Sequence, residues 1–262
     1  MSLLIDGNIS RVNELTEYES SLTDVAVTEG IDLLAKMSVA KLEISLAIQK
    51  FLLENHDGNQ SLALGYGGLG YGPAYTISNV VVTDGLRQWH TLQTIAAVYR
   101  DAFNQQLNDR YKGKWKEYAD LAAEASSVYF SIGVGLCLQP MPKSQAPVLG
   151  QVAGRNQAMT WFVQTSWVNS KNQESAAGVM GSISTQEGSA LTARVTAPPA
   201  GVIGWNIYAG ISQDALYRQN KAVIPVDQAW TMTEAFQTND ALPGSGQGME
   251  TILRKRNVFR RG

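Results

Sequence analysis

The sequence predicts an α+β fold in two parts, an N-terminal helical bundle followed by a small antiparallel β module. Three observations carry that expectation. At 262 residues and 44% hydrophobic content, the chain suits one large domain or two ordinary ones and is too apolar for intrinsic disorder. From about residue 31 to 131 apolar residues recur with the 3.6 period of helices, and from about 160 the period switches to two. Between them, residues 135–157 read as a linker, because Pro140, Pro142 and Pro147 favour extended backbone.

Residues 1–28 are polar with scattered Leu, Ile and Val, and read as an extended or partly helical arm. The helical domain spans 29–134. Its first helix, about 31–55, carries Leu33, Met37, Ala40, Ile44, Ala47, Ile48 and Phe51 as one stripe, which Leu34, Leu42, Leu46 and Leu53 widen. A helix apolar on more than one side is expected to be packed by more than one neighbour. Val80-Val81-Val82 suggests a short strand, and Thr83 or Asp84 caps the next helix, about 85–111, with Leu86, Trp89, Leu92, Ala96, Tyr99, Phe103 and Leu107 on one face. Lys112-Gly113-Lys114 reads as a break. A third helix, about 114–131, aligns Trp115, Tyr118, Ala122, Ala125 and Tyr129, with Leu121, Val128 and Ile132 beside them.

Residues 158–238 form the β module. Trp161, Val163, Thr165 and Trp167 alternate with Phe162, Gln164, Ser166 and Val168, and a polar turn follows at 169–173. Further strands are expected at 177–184, 189–196, 202–209, 216–219, 222–226 and 229–233. Short strands separated by turns every eight to twelve residues read as a β-sandwich of immunoglobulin or fibronectin type, with Trp161, Trp167, Trp205 and Trp230 as core material. Residues 239–262 read as a Gly-rich linker and a basic tail.

Charge is thin at 17%, against about 25% for a typical soluble protein. In its place stand 18 Gln, 14 Asn and 24 Gly, a composition that suits surfaces held against other proteins. The net −2 excludes a generally basic nucleic-acid coat, but it is unevenly spread. Residues 1–135 hold 10 basic and 16 acidic side chains, a net −6. The remainder is +4, all of it in the last thirteen residues through Arg254, Lys255, Arg256, Arg260 and Arg261 against Glu250.

Little in the sequence points to catalysis, a metal or a cofactor. Cys137 is the single cysteine, and His56 and His90 are the two histidines. Gly65-Tyr66-Gly67-Gly68-Leu69-Gly70 matches the dinucleotide fingerprint in form. It lacks the preceding strand and following helix, and Pro73 offers no N–H to a phosphate. His90 reads as a partly exposed polar position, Glu14, Glu17 and Glu19 as a solvated face, and Asp109, Glu117, Asp120 and Glu124 as ion-pair partners of nearby Arg and Lys. No run of apolar residues is long enough to span a membrane. Two segments read as interaction elements. One is the loop 57–78, with Tyr66, Leu69, Tyr71 and Tyr75 as contacts, since Tyr and Gly combine amphipathic area with adaptable backbone. The other is the tail, where Ile252, Leu253, Val258 and Phe259 interleave with Arg254, Lys255, Arg256, Arg260 and Arg261.

The stretch from Asn79 to Gly135, above all LNDRYKGKWKEY followed by a small-residue helix and GVGL, resembles the helical part of head-to-tail adaptor proteins of tailed bacteriophages. The stretch from MTWFVQTSWVNSKNQESA to GWNIYAG and the closing Trp230 is similar to Ig-like or fibronectin-like modules of phage structural proteins. The resemblance implies a non-enzymatic virion protein without cofactors, located at the neck after assembly in the bacterial cytoplasm. It implies a homo-oligomeric ring, typically of twelve copies, between the capsid portal and a downstream tail protein, through which DNA passes without specific recognition. The basic tail is assigned to the portal contact. The alternative is a tail or surface-binding protein whose β-sandwich uses exposed Trp residues to recognise carbohydrate or a host surface.

Overall fold

The computed structural model describes residues 2–55, 75–106, 109–232 and 236–255. It has an α+β fold divided into two compact units. Gly7–Leu138 and Met249–Gly262 make up the helical unit; Met1–Asp6 and Gln139–Gly248 make up the β unit.

The described helices of the first unit are α1 (Val12–Tyr18), α2 (Leu22–Thr28), α3 (Leu33–Asn55), α4 (Asp84–Gln106) and α5 (Asp109–Ile132). Helix α4 is the hub, packing against each of the other four. Leu86, Trp89, His90, Leu92, Ile95, Val98, Tyr99 and Ala102 are buried on all its sides. Against it α3 places Met37, Ala40, Ile44 and Ile48, while α5 contributes Tyr111, Tyr118, Ala122 and Tyr129. Local chemistry sets the helix ends. The Asp32 carboxylate accepts from the N–H groups of Leu34 (2.9 Å) and Ala35 (3.1 Å), capping α3. Gly30 ends α2 at φ 63°, where the Ile31 N–H returns to the Ala26 carbonyl and the Gly30 N–H to that of Val27. The Thr83 hydroxyl caps α4, as its sequence context suggests.

Of the two readings of the arm, extended or partly helical, the second holds, since most of residues 12–28 form α1 and α2. One reading of this region needs correction. Lys112-Gly113-Lys114 is no break but lies inside α5. Gly113 costs the helix about 1 kcal/mol relative to alanine, and burial of Tyr111 and Tyr118 on either side outweighs that cost.

The β unit holds β2 (Val148–Asn156), β3 (Met159–Asn169), β4 (Gly181–Thr185), β5 (Ser189–Arg194), β6 (Val202–Ser212), β7 (Ala215–Arg218), β8 (Ile224–Pro225) and β9 (Trp230–Thr231). One sheet has the order β2-β5-β9; the other runs β4-β3-β6-β7, with β8 also on β6. The period of two in β3 places Trp161, Val163 and Trp167 on one buried face, and antiparallel pairing sets Trp167 opposite Trp205 and Val163 opposite Ala209. Leu191 and Ala193 of β5 complete a core shared by both sheets. Two of the three buried indoles donate within the unit: Trp161 Nε1 to Thr185 Oγ1 (3.2 Å) and Trp205 Nε1 to the Pro225 carbonyl (3.1 Å).

The stretch expected to link the two parts contains β2, an edge strand facing mainly solvent and held by pairing with β5. The first six residues join this unit too: Leu3 and Leu4 are buried, and Asp6 accepts from the Lys143 N–H (2.9 Å). In the helical unit, β1 (Val134–Leu136) pairs antiparallel with β10 (Thr251–Leu253). Val80 bridges Leu136 on the other side and the Val81 N–H donates to the Gly135 carbonyl (3.0 Å), so the strand expected at 80–82 is reduced to isolated bridging.

Candidate functional site

In the helical unit, polar groups fasten the N-terminal helices to the hub. The Glu19 carboxylate accepts from Lys114 Nζ (2.9 Å), the Tyr118 hydroxyl (3.0 Å) and the Ser21 hydroxyl (2.7 Å). Burial pushes its pKa up, but hydrogen bonds from Lys114, Ser21 and Tyr118, together with the Lys114 charge, outweigh it and hold the carboxyl at about 2. Glu14 accepts from Arg87 (3.2 Å), and Glu29 accepts from the Tyr111 hydroxyl (3.0 Å). Glu14 and Glu19 are therefore not a solvated face. His90 is not partly exposed either; it is fully buried. Its Nε2 lies 2.9 Å from the Met37 carbonyl, which can only accept, so Nε2 carries the proton and Nδ1 accepts from the Ser10 hydroxyl at 2.7 Å. Burial lowers its pKa and keeps the ring neutral. His90 ties α3 and the N-terminal segment to α4, and it reaches no solvent where it could act as a base.

The most telling surface is on α3. The helix buries one face against α4 and exposes the other, with Leu34 at 56%, Leu42 at 60% and Leu46 at 58% of full exposure, and Val39 and Leu53 also exposed. The expectation of neighbours on more than one side is met within the described chain on only one. Helix α5 repeats the pattern, exposing Leu121, Val128 and Ile132 beside its core-facing tyrosines. Scattered exposed leucines are ordinary, but rows of them at helical spacing mark contact surfaces. A groove of about 320 Å³ over α4 was not legible in the sequence; Trp89, Ala96, Ala97, Arg100, Trp115 and Ala123 help to line it. It arises where alanines of α4 and α5 meet between two tryptophans, which no single-helix pattern reveals.

The other candidate residues separate. Ile252 and Leu253 lie in β10, so the tail begins as a paired strand, with Arg254 and Lys255 exposed after it. Arg256, Val258, Phe259, Arg260 and Arg261 lie outside the described residues, as do Tyr66, Leu69, Tyr71 and His56; Tyr75 is half-buried. Cys137 is buried, its Sγ 3.5 Å from Glu250, whose carboxylate also accepts from the Leu138 N–H (2.7 Å). Asp109 and Glu117 pair loosely with Lys112 (3.9 Å) and Lys114 (3.8 Å), whereas Asp120 and Glu124 are simply exposed on α5. Among the described residues no three His, Cys, Asp or Glu side chains converge as a metal site would need, and no helix is long and apolar enough to cross a membrane. In the β unit Trp161 and Trp167 are each 2% exposed, and Trp205 is fully buried. Trp230 is half-buried and lines a polar groove of about 530 Å³ with Asn220, Lys221 and Gln228.

No protein-family model matches the chain, and no curated protein matches it either.

Proposed function

We propose that this chain is a structural subunit of a tailed-phage neck, forming a homo-oligomeric ring that joins the capsid portal to the tail and continues the DNA channel. The observation that carries the reading is the second apolar face of α3, a row of leucines on a helix whose opposite face is already in the core. Burying such a face on a partner contributes about 1.5–3 kcal/mol per large side chain fully covered, before the costs of association. The thin charge of the chain and the resemblance of residues 79–135 to phage adaptors support the same reading. The β unit is read as an Ig-like or fibronectin-like module, supported by its two sheets around a tryptophan core. The portal contact is assigned to the segment that follows β10, beginning with Arg254 and Lys255. Class-averaged electron images of the purified full chain test the reading: closed rings are expected, and monomers at every concentration would contradict it.

A second reading keeps one observation. Trp161 and Trp167 are too deeply buried to stack on sugars, but Trp230 in its amide-lined groove is accessible. Binding of oligosaccharides to the β module would then quench tryptophan fluorescence, and Trp230→Ala would abolish the signal.

A further inference from the structure

We propose that the exposed row of α3 in one copy docks on the exposed row of α5 in a second copy, so that one unlike contact repeats around the ring. The inference rests on the reading of the chain as a ring subunit and adds which surfaces meet.

The spacing of the two rows matches. On α3, Ala35, Val39, Leu42, Leu46, Gln49 and Leu53 follow one another at intervals of four, three, four, three and four residues. On α5, Leu121, Ala125, Val128 and Ile132 follow at four, three and four. Alternating fours and threes make the seam along which two helices interlock side chains. The seams also lie on opposite flanks. Helices α3 and α5 meet through the rings of Phe51 and Phe130, stacked with centroids 4.9 Å apart. Leu42 precedes Phe51 by nine residues, and Leu121 precedes Phe130 by nine. Nine residues are two and a half turns at about 3.6 residues per turn, so each seam points directly away from the place where its helix meets the other.

Two unlike apolar seams on opposite flanks leave few ways to cover both. Pairing α3 with α3 across a two-fold axis buries one seam and leaves α5 exposed on each partner. A head-to-tail contact of α3 on α5 covers both with a single interface, and such contacts close into a ring where the rotation from copy to copy closes and run on as a filament where it does not. With the helices parallel, Leu42 meets Leu121, Leu46 meets the small Ala125, Gln49 meets Val128 and Leu53 meets Ile132. That register sets Lys50 beside Glu124 of the next copy. It also sets Glu43 near Glu117, and each of these acids already has a local donor, Gln93 Nε2 at 2.7 Å and Lys114 Nζ at 3.8 Å.

The test uses two full-length variants, Leu46→Glu and Val128→Glu, each spoiling one seam at an exposed position where the fold is insensitive. Native mass spectrometry of either alone is expected to show loss of the ring, with circular dichroism unchanged. Their equimolar mixture is expected to give one-to-one dimers and nothing larger, because one good α3 seam and one good α5 seam remain. Lys50→Glu should weaken assembly several-fold, and adding Glu124→Lys to the same chain should restore it. Rings that survive both seam variants would overturn the pairing while leaving the ring reading intact. Dimers of Val128→Glu alone would overturn it in favour of an α3–α3 contact. A wild-type chain that stays monomeric would remove the ring reading itself and the pairing with it.

Discussion

Replacing Glu19 with glutamine should loosen α1 and α2 from the hub while leaving α3–α5 intact. The native carboxylate takes three donors within 3.0 Å, and its side chain is only 11% exposed. Its pKa falls from 4.5 to about 2 on folding. At about 1.4 kcal/mol per unit, that shift bounds the contribution at roughly 3 kcal/mol. Lys114 is 43% exposed, so water screens the pair, and about 2 kcal/mol is the expected value. Because the folded pKa lies below the unfolded one, the contribution is complete above about pH 5 and is lost as pH falls toward 2, shrinking by more than half by pH 3. Amide hydrogen exchange reads this locally. Glu19→Gln should lower protection across residues 12–28 by about thirtyfold at pH 7, which is 2 kcal/mol at 1.4 per decade, and much less at pH 3. Equal protection in wild type and variant at pH 7, or a difference that does not shrink with acid, would refute the reasoning.

Three further outcomes follow from the geometry. Gly133→Ala should destabilise the helical unit by about 2–3 kcal/mol, seen as a lower melting temperature: its φ is 111°, and a Cβ would stand 2.7 Å from the Leu253 carbonyl oxygen. A chain ending at Lys255 should melt like the full chain but fail to bind portal, whereas one ending at Gly248 loses β10 and the Glu250 hydrogen bond and should melt lower. The His90 ring should titrate below the ordinary 6.5, with nitrogen NMR shifts showing the proton on Nε2; titration at 6.5 or above would mean that the ring reaches water.

What could be read from the sequence was what is local. The leucine-widened stripe of α3, the Leu121–Ile132 row and the alternating tryptophans of β3 are periodic patterns within one element, and each appears as an apolar face. What depends on distant pairing was not legible. The stretch VLGQVAGRN looks like a glycine-rich connector because β2 buries little and is a strand only by virtue of β5. Thr251–Leu253 looks like the start of a free tail, since its partner lies more than a hundred residues earlier. Glu14, Glu19 and His90 looked solvated or half-exposed for the same reason: the groups that bury them come from other helices. The sequence marked α3 as apolar on more than one side, and only the structure shows that its described neighbours, α4 and Phe130 of α5, leave the Leu42–Leu46 side exposed.

The central claim, that unlike apolar seams on α3 and α5 build a closed ring, is tested most directly by native mass spectrometry of the full chain across a concentration series. The account expects a single closed oligomer to grow in as concentration rises. A chain that remains monomeric, or stops at a dimer, would contradict it.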